Sequence, residues 1–105
     1  MENLDATFAA LSHETRRAIL RQLMQGETRL SDLAEPFDIS QTAVSKHVRV
    51  LSTAGLVVVE KRGRIRHCRL NAQPMKRVSD WLSDYQTFWT RPFDNLAQHF
   101  EAEGE

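Results

Sequence analysis

Apolar positions along the chain recur with two different periods. Phe8, Ala9 and Leu11, in the stretch from Asp5 to Leu11, predict a short first helix. Ser12 follows, a residue whose hydroxyl can accept from the unpaired amides of a first turn, so it is the expected cap of a second helix over about His13–Gln25. Ala18, Ile19, Leu20, Leu23 and Met24 form the expected buried side of that helix, and Gly26 supplies the left-handed stop. Ser31 is the expected cap of a shorter helix carrying Leu33 and Ala34, which stops near Pro36 and Phe37. Asp38-Ile39-Ser40 makes a turn, and Ser40 opens a third periodic stretch, from Gln41 to Thr53. Val44, Val48 and Leu51 recur there at helical spacing until Gly55 closes it.

The period then becomes extended. Leu56-Val57-Val58-Val59 is short and β-branched, Gly63 sits in a basic turn, and Ile65 to Leu70 returns as a second strand. The expected result is a β-hairpin with a glycine-containing tip. A last helical region runs from Pro74 to about Glu101. The predicted fold is mainly α with a small β-hairpin, in the order α-α-α-α-β-β-α, as a single domain over residues 1–105. Within it, about 31–53 form a helix-turn-helix, about 56–70 a hairpin wing, and about 74–101 a C-terminal helix.

Charge sharpens this picture. The formal net charge is zero, but Gln41 to Arg69 holds seven basic residues against Glu60 alone, and the rest of the chain holds seven against thirteen acidic ones. A concentrated basic segment matters more to a polyanion than the total does. Two helices joined by a tight turn, the second preceding a basic hairpin, form an arrangement used to read DNA, because a helix fits the major groove. With Val44, Val48 and Leu51 turned inward, Gln41, Thr42, Ser45, Lys46 and Arg49 point outward. Gln41 suits adenine, Lys46 and Arg49 suit guanine or phosphate, and the Thr42 methyl suits a thymine methyl. Strand alternation is expected to place Arg62, Arg64 and Arg66 on one side of the wing, as phosphate contacts.

Two segments carry a resemblance. Leu11-Ser12-His13-Glu14-Thr15-Arg16-Arg17-Ala18-Ile19-Leu20 resembles the opening signature of the ArsR/SmtB family of bacterial repressors. Ser40-Gln41-Thr42-Ala43-Val44-Ser45-Lys46-His47-Val48-Arg49-Val50-Leu51, followed by Ala54-Gly55-Leu56-Val57, resembles its recognition helix and the start of its wing. The likeness spans about residues 4 to 90. It implies a homodimeric winged helix-turn-helix repressor, paired through its first and last helices and released from a palindromic operator by a signal. On the family pattern Gln41, Thr42, Ser45, Lys46, His47 and Arg49 are DNA contacts, with packing beside the turn as the other role open to His47. Metal-sensing members place paired cysteines in the helix before the turn, whereas Arg29 to Phe37 contains none. Nor do Asp80, Asp84 and His99 match the ligand spacing that other members carry on the last helix. The resemblance is therefore to a type that does not sense metal, with no cofactor and with no inducer, small molecule or protein, identified.

The remaining chemistry adds less. Six of the eight aromatic residues fall after Pro74, and Val78, Trp81, Leu82, Tyr85, Phe88 and Trp89 follow helical spacing. With Leu4, Phe8 and Leu11 they form the expected dimer interface of a domain too small to cover them alone. Cys68 is the single cysteine, which excludes an internal disulfide. No enzyme is expected: Ser45 and His47 diverge on a helix, and no glycine-rich phosphate loop or paired acids exist. No membrane-spanning run or signal peptide is evident, so the cytoplasm is the expected location. The competing reading is a winged-helix protein-interaction module whose basic hairpin meets an acidic partner.

Overall fold

The computed structural model describes residues 3–90. Asn3 caps the first helix, its side chain accepting from the Ala6 amide at 3.0 Å, and α1 runs Leu4–Leu11. The second helix, α2, spans Glu14–Leu23, but its cap is His13 rather than Ser12. The Nδ1 of His13 accepts from the Thr15 amide at 3.0 Å, while the Ser12 hydroxyl points backwards and donates to the Ala9 carbonyl at 2.6 Å. Ser12 therefore closes α1 instead of opening α2.

After Gly26 the chain makes a two-residue strand, β1 (Thr28–Arg29), and enters α3 (Leu30–Ala34). Arg29 is the cap position of α3 and makes no capping bond; Ser31, the expected cap, lies inside the helix. Helix α4 is Gln41–Thr53, and Ser40 caps it as expected by accepting from the Ala43 amide at 3.1 Å.

The end of α4 sets where the wing begins. Gly55 has φ +81°, its amide donates to the Ser52 carbonyl, and the Leu56 amide reaches back to the Leu51 carbonyl at 2.9 Å. This is a Schellman closure, completed by apolar contact between the residues at its two ends, and both Leu51 and Leu56 are fully buried. Strands β2 (Val57–Arg62) and β3 (Ile65–Leu70) then form the hairpin. Asn71 locks the far end to α4: its side chain donates to the Gly55 carbonyl and its amide to the Leu56 carbonyl, both at 2.8 Å.

The sheet has three antiparallel strands in the order β1-β3-β2, one more than the expected hairpin, because Thr28 and Arg29 pair with Cys68 and His67. Ile19, Leu33, Val44, Leu51, Leu56 and Cys68 are the largest fully buried side chains, so the core lies where α2, α3, α4 and the sheet meet. Burial also pushes the Cys68 thiol pKa up, which disfavours its reactive thiolate. Met24, expected on the buried side of α2, is 72% exposed. It follows the last residue of α2, where the stripe has already run past the core.

The C-terminal helix is shorter than expected. Helix α5 is Gln73–Ser83, with Pro74 in its first turn. Residues 84–86 then form a turn in which Tyr85 and Gln86 donate to carbonyls three residues back, and helical geometry resumes at 87–90. The break thus precedes Pro92, which with Phe93, His99, Phe100 and the rest of the expected helix lies outside the described residues. No helix among them is long and apolar enough to cross a membrane.

Candidate nucleic-acid interface

Helix α4 is anchored through Val44, Val48 and Leu51, each nearly or fully buried. At about 100° per residue that anchor leaves Gln41, Thr42, Lys46 and Arg49 exposed, with Ser45 half-buried. Gln41, Ser45 and Arg49 are spaced one turn apart and form the edge of α4 that faces the wing.

Between that edge and the wing lies an open cleft of about 430 Å³. Gln41 and Ser45 contribute from α4, Lys61, Arg64 and Arg66 from the wing, and Arg29 from β1. A second hollow of about 240 Å³ continues it past Arg66 and Ser45 to Arg49 and Thr53. No carboxylate lines either hollow among the described residues. Arg29 is met by Asp32 at 3.1 Å, whereas Arg49, Lys61, Arg64 and Arg66 make no ion pair among the described residues, and their field favours a polyanion.

The hairpin register divides the wing's arginines. A two-residue loop, Gly63-Arg64, joins the strands, with positive φ at Gly63 only, as in a II′ turn. Arg62 therefore pairs with Ile65, and Lys61 with Arg66. Cross-strand partners share a face, so Arg62 lies on the face opposite Lys61 and Arg66, contrary to the single-sided arrangement expected from alternation. There it donates to Glu27 at 2.9 Å and to Glu60 at 3.0 Å, and His67 Nδ1 lies 3.6 Å from the other Glu27 oxygen. The bonds to Glu27 and Glu60 raise the Arg62 pKa, and the same bond from Arg62 lowers that of Glu60. Arg62 is thus charge-compensated, while Lys61, Arg64 and Arg66 line the cleft.

His47, for which the sequence leaves both a DNA contact and packing beside the turn open, faces α2. Its ring lies 4.4 Å, centroid to centroid, from His13, and its Nδ1 is 3.2 Å from Arg16 Nη1. A guanidinium only donates, so Nδ1 must accept and His47 is neutral in this arrangement. Burial first, then the His13 and Arg16 charges, pull its pKa below the ordinary histidine value. Arg16 extends the link by donating to the Ala10 carbonyl at 2.7 Å and the Ala9 carbonyl at 3.1 Å. His47 is therefore part of the joint between α4, α2 and the end of α1.

The aromatic residues gather on another surface. Phe8 meets Trp81 edge-to-face at 5.3 Å, and Trp81 lies 5.1 Å from Tyr85. Phe8, Trp81, Leu82, Tyr85, Phe88 and Trp89 are all exposed in the single chain, with Phe88 at 78%. Leu4, Leu11 and Val78 are half-buried, and Leu11 also packs against the core. Among the described residues, no three His, Cys, Asp or Glu side chains converge as a metal site would require.

Comparison with known proteins matches this geometry. A helix-turn-helix domain family model matches residues 11–60. The chain is 35% identical over 101 residues to the HTH-type transcriptional regulator Rv2034 of Mycobacterium tuberculosis, covering 96% of this chain and 92% of that one. It is 29% identical over 82 residues to the transcriptional repressor SdpR of Bacillus subtilis, covering 78% and 91% respectively. Among solved structures, an ArsR family transcriptional regulator superposes with a TM-score of 0.77 at 35% identity, over 86% of this chain and 97% of that chain.

Proposed function

The chain belongs to the ArsR family of winged helix-turn-helix, DNA-binding transcriptional regulators, and we propose that it acts as a homodimeric repressor of a palindromic operator. In this reading α4 enters the major groove, with Gln41, Thr42, Ser45, Lys46 and Arg49 toward the bases and adjoining phosphates. Lys61, Arg64 and Arg66 follow the backbone, and Arg62 and His47 serve the wing and the helix joint instead. The observation that carries the reading is the acid-free cationic cleft shared by α4 and the wing.

Pairing through Phe8, Trp81, Leu82, Tyr85, Phe88 and Trp89 would cover the exposed aromatic surface. A two-fold axis there would present two copies of α4 to successive major grooves, about 34 Å apart. The proposed inducing signal is not a metal ion, since the segment before the turn offers no cysteine, and the proposed location is the cytoplasm.

The test is selection from random duplexes, followed by binding titrations at several salt concentrations. If the three wing cations of each protomer neutralise phosphates, affinity falls about a thousandfold between roughly 50 and 200 mM salt. One palindromic sequence is expected to emerge from selection. Equal binding to all duplexes would favour the acidic-partner module in its place.

A further inference from the structure

A second cleft, of about 470 Å³, shares no residue with the one between α4 and the wing. Its walls come from four parts of the fold: Leu11 at the end of α1, Leu20 and Met24 on and just after α2, Leu70 at the end of β3, and Met75 in α5. That volume falls within the roughly 300–1,000 Å³ of small-molecule sites, whose walls are mostly apolar with few polar groups. Methionine is flexible and polarisable, so the two here can adapt to apolar bodies of differing shape. Met24, exposed just past the end of α2, is one of the residues that line this cleft.

Arg17 and Arg21, one turn apart on α2, supply the polar part of the lining. Arg17 Nη1 donates to the Leu11 carbonyl at 2.7 Å, which holds its guanidinium at the cleft and leaves its other donors available. No Asp or Glu lines the cleft, and no ion pair joins either arginine to a carboxylate among the described residues. An aliphatic hollow with two uncompensated guanidiniums suits a ligand that is apolar over most of its length and carries one planar anionic head.

We propose that this cleft binds a small amphiphilic carboxylate. Binding there would also act on DNA affinity, because α2 packs on α4 while α5 carries the aromatic surface, and a ligand touching both resets their spacing. That consequence rests on the dimeric DNA-binding reading; the binding itself does not.

Methyl NMR of the full chain, titrated with decanoate and separately with decanol, tests the site directly. Two of the three methionines line the cleft, so saturable shifts of the Met24 and Met75 methyls are expected with decanoate. Decanol should bind about tenfold more weakly for want of the charge-assisted bonds. Arg21→Gln should bring decanoate close to decanol while leaving decanol unchanged, which also shows that the variant is folded. Absence of saturable shifts, equal affinity for the two probes, or an Arg21→Gln variant with undiminished decanoate binding would each overturn the proposal. Saturated methyls with unaltered affinity for the selected duplex would uphold the site and overturn only its coupling to DNA.

Discussion

Replacing Arg66 with alanine isolates the wing's role more cleanly than any other change. Arg66 borders both hollows of the cleft, opposite Lys61, and makes no ion pair among the described residues. In a dimer the substitution removes two phosphate contacts. Each contact contributes about 0.9 to the slope of log affinity against log salt, so the slope should become shallower by about 2. At roughly 0.1 M salt the same release is worth nearly a decade per contact, giving a loss of up to about 60-fold, or about 2.4 kcal/mol. Arg62→Ala is the internal comparison. Its charge is already met by Glu27 and Glu60, so the slope should scarcely change. Fluorescence anisotropy with a labelled duplex, repeated over a range of salt, measures both variants. Equal loss of slope in the two would refute the division of the wing into a cleft face and a compensated face.

Other outcomes follow from the same geometry. His47 has a lowered pKa in the fold, so the unfolded chain takes up its proton first and stability declines as pH falls below the ordinary value of 6.5. His47→Gln keeps an acceptor for Arg16 without the titration, so the gap in melting temperature between wild type and variant should change as pH falls below 6.5; parallel curves would contradict this. Trp81→Ala removes the ring that joins Phe8 to Tyr85 and should weaken dimerisation by about 2 kcal/mol or more. An equally stable dimer in dilution sedimentation would count against the aromatic interface. Gly55→Ala forces a side chain onto a backbone at φ +81° and should cost about 1–2 kcal/mol in denaturant unfolding. A neutral result would mean that the end of α4 tolerates a different closure.

Where a feature depends on local chemistry, the chain announced it well. Ser40 and Gly55 mark the two ends of α4 through bonds within a few residues of themselves, and the helical spacing of Val44, Val48 and Leu51 marks its buried side. The hairpin likewise follows from β-branched residues on either side of Gly63. Features that depend on distant partners stayed hidden. β1 is two residues long and exists as a strand only through β3, so it has no periodicity of its own. Ser12 can either accept from a new helix or donate to an old one, and the choice is made by His13, which takes the capping role.

The cationic site was legible in composition but not in its facing. Counting along the chain puts Arg62, Arg64 and Arg66 in step, yet a two-residue loop reverses the strand so that Arg62 shares a face with Ile65. Glu27, which meets Arg62, lies 35 residues away in sequence and gives no local sign of the pairing. His47 lies on α4 among outward residues, but its 31-residue separation from Arg16 conceals a joint that only the packed helices create. The break before Pro92 arises from the turn around Tyr85, where apolar spacing continues unchanged while the hydrogen bonds tighten.

The most direct test is an NMR titration of the labelled protein with its selected duplex, following backbone amides and arginine side chains together. Shifts at Gln41, Ser45, Lys46 and Arg49 in step with Arg64 and Arg66, and largely absent from Arg62 and Trp81, are expected if one duplex meets helix and wing at once. Shifts confined to the Phe8–Trp81 surface, with α4 undisturbed, would contradict it.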